Sequence, residues 1–383
     1  MTTTPALPSF QHTPSCPVVF GVGAAATVGD KTLLKKHERV LVVTDVAVRG
    51  AGLCDAALAG LGARAVIVDD GVVPDGDVAH VEALAARAKD QGVTAVLAIG
   101  GGSVIDSAKG VGAVIATGKT LAELEGVAKV RAKVLPIVAV PTTSGTGSEA
   151  TQFAVIKDKG AGAKRIIVDA SVIPALAVLD PSLLVGLPAS VTKATATDAV
   201  THALEALVSR MANPIGHALA TEALRLMLGE RALARALAAP DDVAARADCL
   251  VAAHLAGGAV NTSMLGACHA LAHPLGAMAG VPHGIANGLF LEPVLLANAA
   301  KVAGRYAALG PVIGVAADAS AVMDAVAAFV HDTASVPRRL RDVGVAEATL
   351  PALAAAAAAD PDLPTNPVRL DEAALMTILR ARW

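Results

Sequence analysis

The residues best suited to chemistry are histidines at helical spacing. Asp198 and His202 stand four apart in Thr197–His202 (TDAVTH), so a helix there puts carboxylate and imidazole on one face. His269 and His273 are again four apart in Cys268–Gly276 (CHALAHPLG), and Val281–Gly284 (VPHG) supplies His283. One carboxylate and several imidazoles form a donor set for a divalent transition metal. Spacing alone leaves open which of His269 and His273 is a ligand. His217, His254 and His331 have no comparable company in the sequence and read as structural or exposed.

Two loops suit a nucleotide. An apolar run ends in Gly100-Gly101-Gly102-Ser103, and Asp106 follows. Consecutive glycines admit close approach of a ligand, and a helix N-terminus behind them offers free N–H groups and a positive dipole end to a pyrophosphate. Ser103 and Asp106 also have the spacing of a capping pair. The spaced GxGxxG fingerprint is absent. Gly21 and Gly23 read as a hairpin or packing feature. The second loop, Pro141–Glu149 (PTTSGTGSE), packs five hydroxyl side chains and two glycines into nine residues. Asp45, at the end of another apolar run, is placed to accept hydrogen bonds from an adenosine ribose and to repel a 2′-phosphate, which favours NAD. Its structural alternative is a helix cap.

These residues need elements to hold them. Short β-branched runs at Val40–Thr44, Arg64–Val68, Thr94–Ile99 and Val134–Val140 alternate with helical stretches at Val81–Lys89 and Ser103–Thr117. That alternation predicts a parallel sheet with helices on its faces, a Rossmann-like α/β domain. Arg165–Val168 and Ala175–Leu179 read as further strands, forming an excursion. From about Pro188 the pattern becomes helical, with candidates at Ala189–Ser209, Pro214–Ala238, Val243–Met264, Gly288–Ala299, Asp318–His331 and Asp371–Arg382. Pro293 weighs against the fourth. The expected division is residues 1–185, dinucleotide-binding, and 186–383, an all-α metal-binding domain.

Composition narrows the function classes. The 383 residues carry 31 Lys+Arg against 34 Asp+Glu, a net charge of −3, so the basic stripe that nucleic acid requires is missing. Hydrophobic residues reach 54% and mean hydropathy is +0.59, yet runs such as Val134–Val140 and Leu350–Ala359 are too short to span a bilayer, which takes about 20 apolar residues. The N-terminus shows no secretory signal pattern. Cys16, Cys54, Cys249 and Cys268 form no CxxC pair and read as reduced thiols of a cytoplasmic protein.

The motifs together resemble the iron-dependent (group III) alcohol dehydrogenases over essentially the whole chain. Residues 100–109 (GGGSVIDSAK) look like that family's pyrophosphate loop and 141–149 like its second cofactor loop. Residues 197–205 (TDAVTHALE) are similar to its first metal segment, and 268–277 with 282–287 (PHGIAN) to its C-terminal signature; 336–345 is also alike. The resemblance implies metal ligands Asp198, His202, His269 and His283, with Fe(II) and Zn as the ions. It implies a different role for His273, catalytic and beside the nicotinamide. It places NAD against Asp45, Gly100, Gly101, Gly102, Ser103, Asp106, Thr142, Thr143, Ser144, Lys164 and Leu183. It implies a small alcohol or aldehyde substrate and a homo-oligomer. The chain departs from the family pattern at Ala196, often Gly, at Pro293, where many members have His, and at Val368, more usually Arg.

The implied reaction is hydride transfer between a primary alcohol and NAD, the metal polarising the substrate oxygen. Maleylacetate reductase-like and glycerol dehydrogenase-like enzymes are the neighbouring readings. A dehydroquinate synthase-like lyase is more distant and would need a basic pocket, which the histidine-bearing half does not show. A non-catalytic binding protein would not need complete ligand and cofactor motifs.

Overall fold

The computed structural model describes residues 9–383. Its first half is built on six parallel strands: β1 (Val18–Phe20), β2 (Val40–Val43), β3 (Ala65–Asp69), β4 (Ala95–Gly100), β6 (Ile137–Pro141) and β9 (Leu176–Leu179), in the order β1-β9-β6-β4-β2-β3. Every residue of β2, β4, β6 and β9 is buried, as expected where helices cover both faces of a parallel sheet. Helices α1 (Val78–Asp90) and α2 (Gly102–Thr117) are among the crossovers. From β2 the chain goes outward to β3 and returns to the other side of β2 as β4. The strand order therefore reverses beside β2, and ligands of such sheets sit outside the carboxyl ends at that point.

The anticipated excursion is a second sheet, β5-β8-β7, formed by β5 (Gly126–Val127), β7 (Phe153–Asp158) and β8 (Ala163–Val168). β7 and β8 are antiparallel, with Lys157 opposite Lys164. β9 is not part of the excursion but rejoins the main sheet between β6 and β1. Gly21 and Gly23 do not form a hairpin. They carry the chain out of β1 at φ +153° and +77°, which glycine permits, and Gly21 N–H donates to the Leu179 carbonyl.

The second half is helical: α3 (Ala189–Val208), α4 (Pro214–Leu224), α5 (Val243–Ser263), α6 (Ala267–Ala279), α7 (His283–Leu309), α8 (Ala319–Ala328), α9 (Leu350–Ala358) and α10 (Glu372–Ala381). The stretch expected as one helix over 214–238 is broken. A π-turn at Arg225–Gly229 is followed by Arg231 at φ +54°, and a separate helix starts at Ala232. Conversely α7 runs straight past Pro293, and its non-helical residue is Val302. α5 and residues 283–312 are long and apolar enough to cross a membrane, but 67% and 56% of their apolar windows are buried inside the protein. They are the centre of the helical core, with Phe290 and Tyr306 fully buried.

Candidate active site

β4 and β6 end side by side, Gly100 in register with Pro141, so the two loops face each other across the sheet edge. The three glycines at the end of β4 and the start of α2 do not serve a left-handed turn; Gly101 has φ −77°. They allow contact. A Cβ on Gly102 would stand 2.6 Å from the Thr146 methyl and one on Gly101 3.3 Å from the Thr143 hydroxyl. No side chain caps α2 and its first turn holds no acid, so the N-terminal N–H groups keep their attraction for an anion.

The expected Ser103–Asp106 capping pair does not form. Ser103 Oγ accepts from Asp75 N–H at 3.0 Å. Asp106 accepts from Ser148 Oγ at 2.5 Å and from Val155 N–H at 3.1 Å, and fully buried Lys109 lies 3.6 Å away. Lys109 donates to Ser148 Oγ (2.9 Å), Thr151 Oγ1 (3.2 Å) and the Phe153 carbonyl (2.6 Å). Burial lowers the lysine's pKa and raises that of Asp106, while their mutual attraction works against both shifts. This pair fastens the second loop to α2. Thr142 N–H donates to the Gly100 carbonyl at 3.0 Å, and Ser144 Oγ is buried with no hydrogen-bond partner among the described residues. Asp45 caps the short helix after β2 through Val48 N–H at 2.8 Å. Lys164 pairs with Asp75 at 2.9 Å, and Leu183 packs half-buried near Leu179 and Leu184.

The second loop also reaches the helices. A Cβ on Gly145 would strike Thr195 of α3 at 2.6 Å, and one on Gly147 would strike Gly257 of α5 at 2.7 Å. Buried Glu149 bonds His254 of α5 at 3.2 Å, so His254 does have a partner. The second loop thus abuts α3, which bears Asp198 and His202, and α5, which bears His254.

On α3, Asp198, His202 and Glu205 share one buried face. Asp198 Oδ1 lies 3.7 Å from His202 Nε2, 3.6 Å from His269 Nε2 and 3.5 Å from His283 Nε2. Donors that each bind one ion at about 2.0–2.2 Å in a tetrahedron stand roughly this far apart. The donor atoms of Asp198, His269 and His283 all fall within 4.8 Å of one another. His202 stacks on His269 with ring centroids 4.8 Å apart, and among the described residues its buried Nδ1 has no hydrogen-bond partner.

Backbone packing makes this convergence possible. A Cβ on Gly284 would stand 1.9 Å from the Ala194 carbonyl, so only glycine lets the start of α7 dock on α3 and bring His283 to Asp198. Ala196, at a position often glycine in the resembled family, is fully buried here.

Burial alone would raise the Asp198 carboxyl pKa. The surrounding His202, His283 and His269 outweigh it and hold that carboxyl well below its ordinary range. Burial pushes His202 and His283 down, keeping those imidazoles neutral. His269 goes the other way, up to about 10, because Glu205 and Asp198 outweigh its burial. A buried carboxylate beside the neutral rings of His202 and His283 offers oxygen and nitrogen lone pairs, a donor set that fits a divalent transition ion, which would replace the proton on His269.

Three residues not singled out from the sequence complete the site. Glu205 accepts from His269 Nδ1–H and from Cys268 N–H, both at 2.6 Å, leaving His269 Nε2 for the ion. Its seven-residue distance from Asp198 on one helix was a readable signal. Asn287 Nδ2 donates to Asp198 Oδ1 at 2.8 Å and lies 3.1 and 3.3 Å from His269 and His283 Nε2. Asp360 Oδ2 holds His273 Nδ1 at 2.9 Å. His273 stacks on His283, centroids 5.6 Å apart at 7°.

Comparison with known proteins accords with this geometry. Residues 15–181 match the family description "Iron-containing alcohol dehydrogenase", and residues 192–383 match "Fe-containing alcohol dehydrogenase family, C-terminal". The chain is 34% identical to alcohol dehydrogenase 4 of Saccharomyces cerevisiae over 368 residues, covering 95% of this chain and 96% of the relative. It is 34% identical to the NAD-dependent methanol dehydrogenase of Bacillus methanolicus over 301 residues, 77% and 78% of the two chains. A crystal structure of a 1,3-propanediol oxidoreductase superposes with a TM-score of 0.92 at 32% identity, covering 98% of this chain and all of that one. The chain therefore belongs to the iron-containing alcohol dehydrogenase family.

Proposed function

We propose that the protein is an NAD-dependent alcohol dehydrogenase and aldehyde reductase acting on primary alcohols or their aldehydes. One observation carries this reading: a single loop, Pro141–Glu149, touches both the start of α2 and helix α3, and α3 carries Asp198 and His202, with His269 and His283 gathered at Asp198. A divalent ion at the donor set, Fe(II) with Zn as a substitute, supplies a Lewis acid for the substrate oxygen, and NAD supplies the hydride acceptor.

The chain's own residues would do the rest. Gly100, Gly101, Gly102 and Ser103 bring backbone N–H groups to the pyrophosphate. Asp106 holds the second loop, where Thr142, Thr143 and Ser144 line the cofactor side. Asp45, beyond β2, favours an unphosphorylated ribose. Lys164 and Leu183 flank the cofactor. His273 accepts the hydroxyl proton as hydride leaves the carbinol carbon, so alcohol and NAD⁺ give aldehyde, NADH and one proton. The acidic ring of Glu205, Asp360 and Asp362 around His269 and His273 suits an uncharged substrate better than the carboxylated one a dehydroquinate synthase-like lyase would bind.

We read residues 1–185 and 186–383 as the two functional units, in keeping with the family segments that end at 181 and begin at 192. Four free cysteines support a cytoplasmic setting. Edge strand β1 exposes Val18, Val19 and Phe20, with Phe20 53% exposed, which supports a homo-oligomer that light scattering will read as a mass above 38.0 kDa.

The test is NADH oxidation with a panel of short aldehydes, using apo protein reconstituted anaerobically with Fe(II) or Zn. Metal-dependent turnover supports the reading. Turnover indifferent to chelation points instead to a metal-free reductase, and its absence despite bound metal and NAD rejects the proposed substrate class.

A further inference from the structure

His273 lies one turn beyond His269 on α6, yet its donors face a different group of side chains. Its Nδ1 is 2.9 Å from Asp360 Oδ2 and 3.9 Å from Asp362 Oδ2. The other Asp360 oxygen accepts from Asp362 N–H at 2.9 Å, so the carboxylate is fixed at both ends. The segment that carries it is itself tied to α6. Thr365 Oγ1 donates to the Leu265 carbonyl at 2.5 Å, and Asn366 Oδ1 accepts from Ala267 N–H at 3.3 Å and from Asn298 Nδ2 at 3.0 Å. Asp360 is thereby anchored to the first turn of the helix on which His273 stands. Among the described residues nothing bonds His273 Nε2, and the side chain is 21% exposed against 9% for Asp360.

A carboxylate that accepts from Nδ1–H selects the neutral tautomer whose lone pair is on Nε2. Stacking on His283 at 7° fixes the plane of the ring. Carboxylate and stacked ring together leave His273 one orientation, with its Nε2 lone pair unbonded among the described residues and the side chain partly open to solvent.

We propose that Asp360 is a positioning residue for His273: it locks the ring in the Nδ1–H tautomer so that Nε2 receives the substrate's hydroxyl proton. This rests on the dehydrogenase reading above. The proton passes to Nε2, the hydride passes to NAD⁺, and the Nδ1 proton stays on His273, bonded to Asp360. Asp362 backs the same nitrogen at longer range.

A double-mutant cycle on the metal-loaded enzyme tests it, with Asp360→Asn, His273→Ala and the double variant. The expected result is a kcat loss of about 10–100-fold for Asp360→Asn, with KM for NADH changed less than about threefold and metal content unchanged. Asp360→Glu restores a large part. In the His273→Ala background Asp360→Asn adds less than about twofold, since the residue acts through the ring already removed. Additive losses, or wild-type kcat in Asp360→Asn, overturn the proposal. A second measurement does not depend on turnover. Long-range ¹H–¹⁵N spectra of ring-labelled, zinc-loaded protein will show the Nδ1–H tautomer at His273, assigned by its loss in His273→Ala, and a tautomer mixture in Asp360→Asn. A mixture already present in the unsubstituted protein contradicts the proposal whatever the substrate is, whereas failure of the aldehyde panel with the tautomer intact contradicts only the function.

Discussion

The two halves of the proposed active site are built in different ways. The proposed cofactor side is made largely of backbone and small side chains: three glycines, an uncapped helix start and a hydroxyl-bearing loop, all at the ends of adjacent strands. The metal side is made of long side chains on three helices, and Asp198 is 85 residues from His283 in sequence. The first tolerates no added bulk. The second tolerates no missing donor. The two should therefore fail independently, although one loop touches both.

The largest expected effect tests the metal side. His269→Ala removes a donor and strands buried Glu205 without its ring partner. Metal content should fall from one ion per chain to near zero, with turnover down at least about 1,000-fold, while calorimetry shows NAD affinity within about threefold. Loss of NAD binding in the same variant would break the separation.

Gly102→Val is the complementary change. Its side chain runs into Thr146 from a Cβ position only 2.6 Å from that residue's methyl. Calorimetry should read NAD affinity about 10–100-fold weaker with one metal ion per chain retained, because each tenfold corresponds to only about 1.4 kcal/mol of misfit. Unaltered NAD affinity would place the pyrophosphate somewhere else.

The smallest effect concerns the acid beside His273. Burial raises the Asp362 pKa to about 6, against the attraction of His273. Between about pH 4 and 6 the folded chain holds a proton there that the unfolded chain has lost, so this group subtracts stability as pH rises through that window. Asp362→Asn should raise thermal stability at pH 7–8 by an amount near 1–2 kcal/mol and leave it nearly unchanged below pH 4. An equal gain at both pH values, read by scanning calorimetry, would assign the effect to packing rather than charge.

The same contrast decides what could be read from the sequence. The GGGS and hydroxyl-rich loops are contiguous, and strands Val40–Val43 and Ala95–Gly100 are unbroken apolar runs, so pattern and spacing reveal them. The i,i+4 pair Asp198 and His202 is visible for the same reason. Asp360 and Asn287 escape this kind of reading because each acts on a residue brought to it only by folding; Asp360 is 87 residues from His273. The Ser103–Asp106 cap fails because Asp106 has stronger tertiary partners in Ser148, Val155 and Lys109 than the local turn offers. β1, three residues long, and β7, with an exposed Lys157, carry too little apolar pattern to stand out. Pro293 is tolerated inside α7 because packing against α3 and α6 holds that helix, a tertiary term that local propensity omits.

The most direct measurement is anomalous diffraction from crystals grown anaerobically with Fe(II) and NAD⁺. The account predicts one iron peak bonded to Asp198, His202, His269 and His283 at about 2.0–2.3 Å, with the NAD pyrophosphate against the N–H groups of Gly101–Ser103 in the same cleft. An iron peak held instead by His273, Asp360 and Asp362, or a pyrophosphate away from the start of α2, would contradict it.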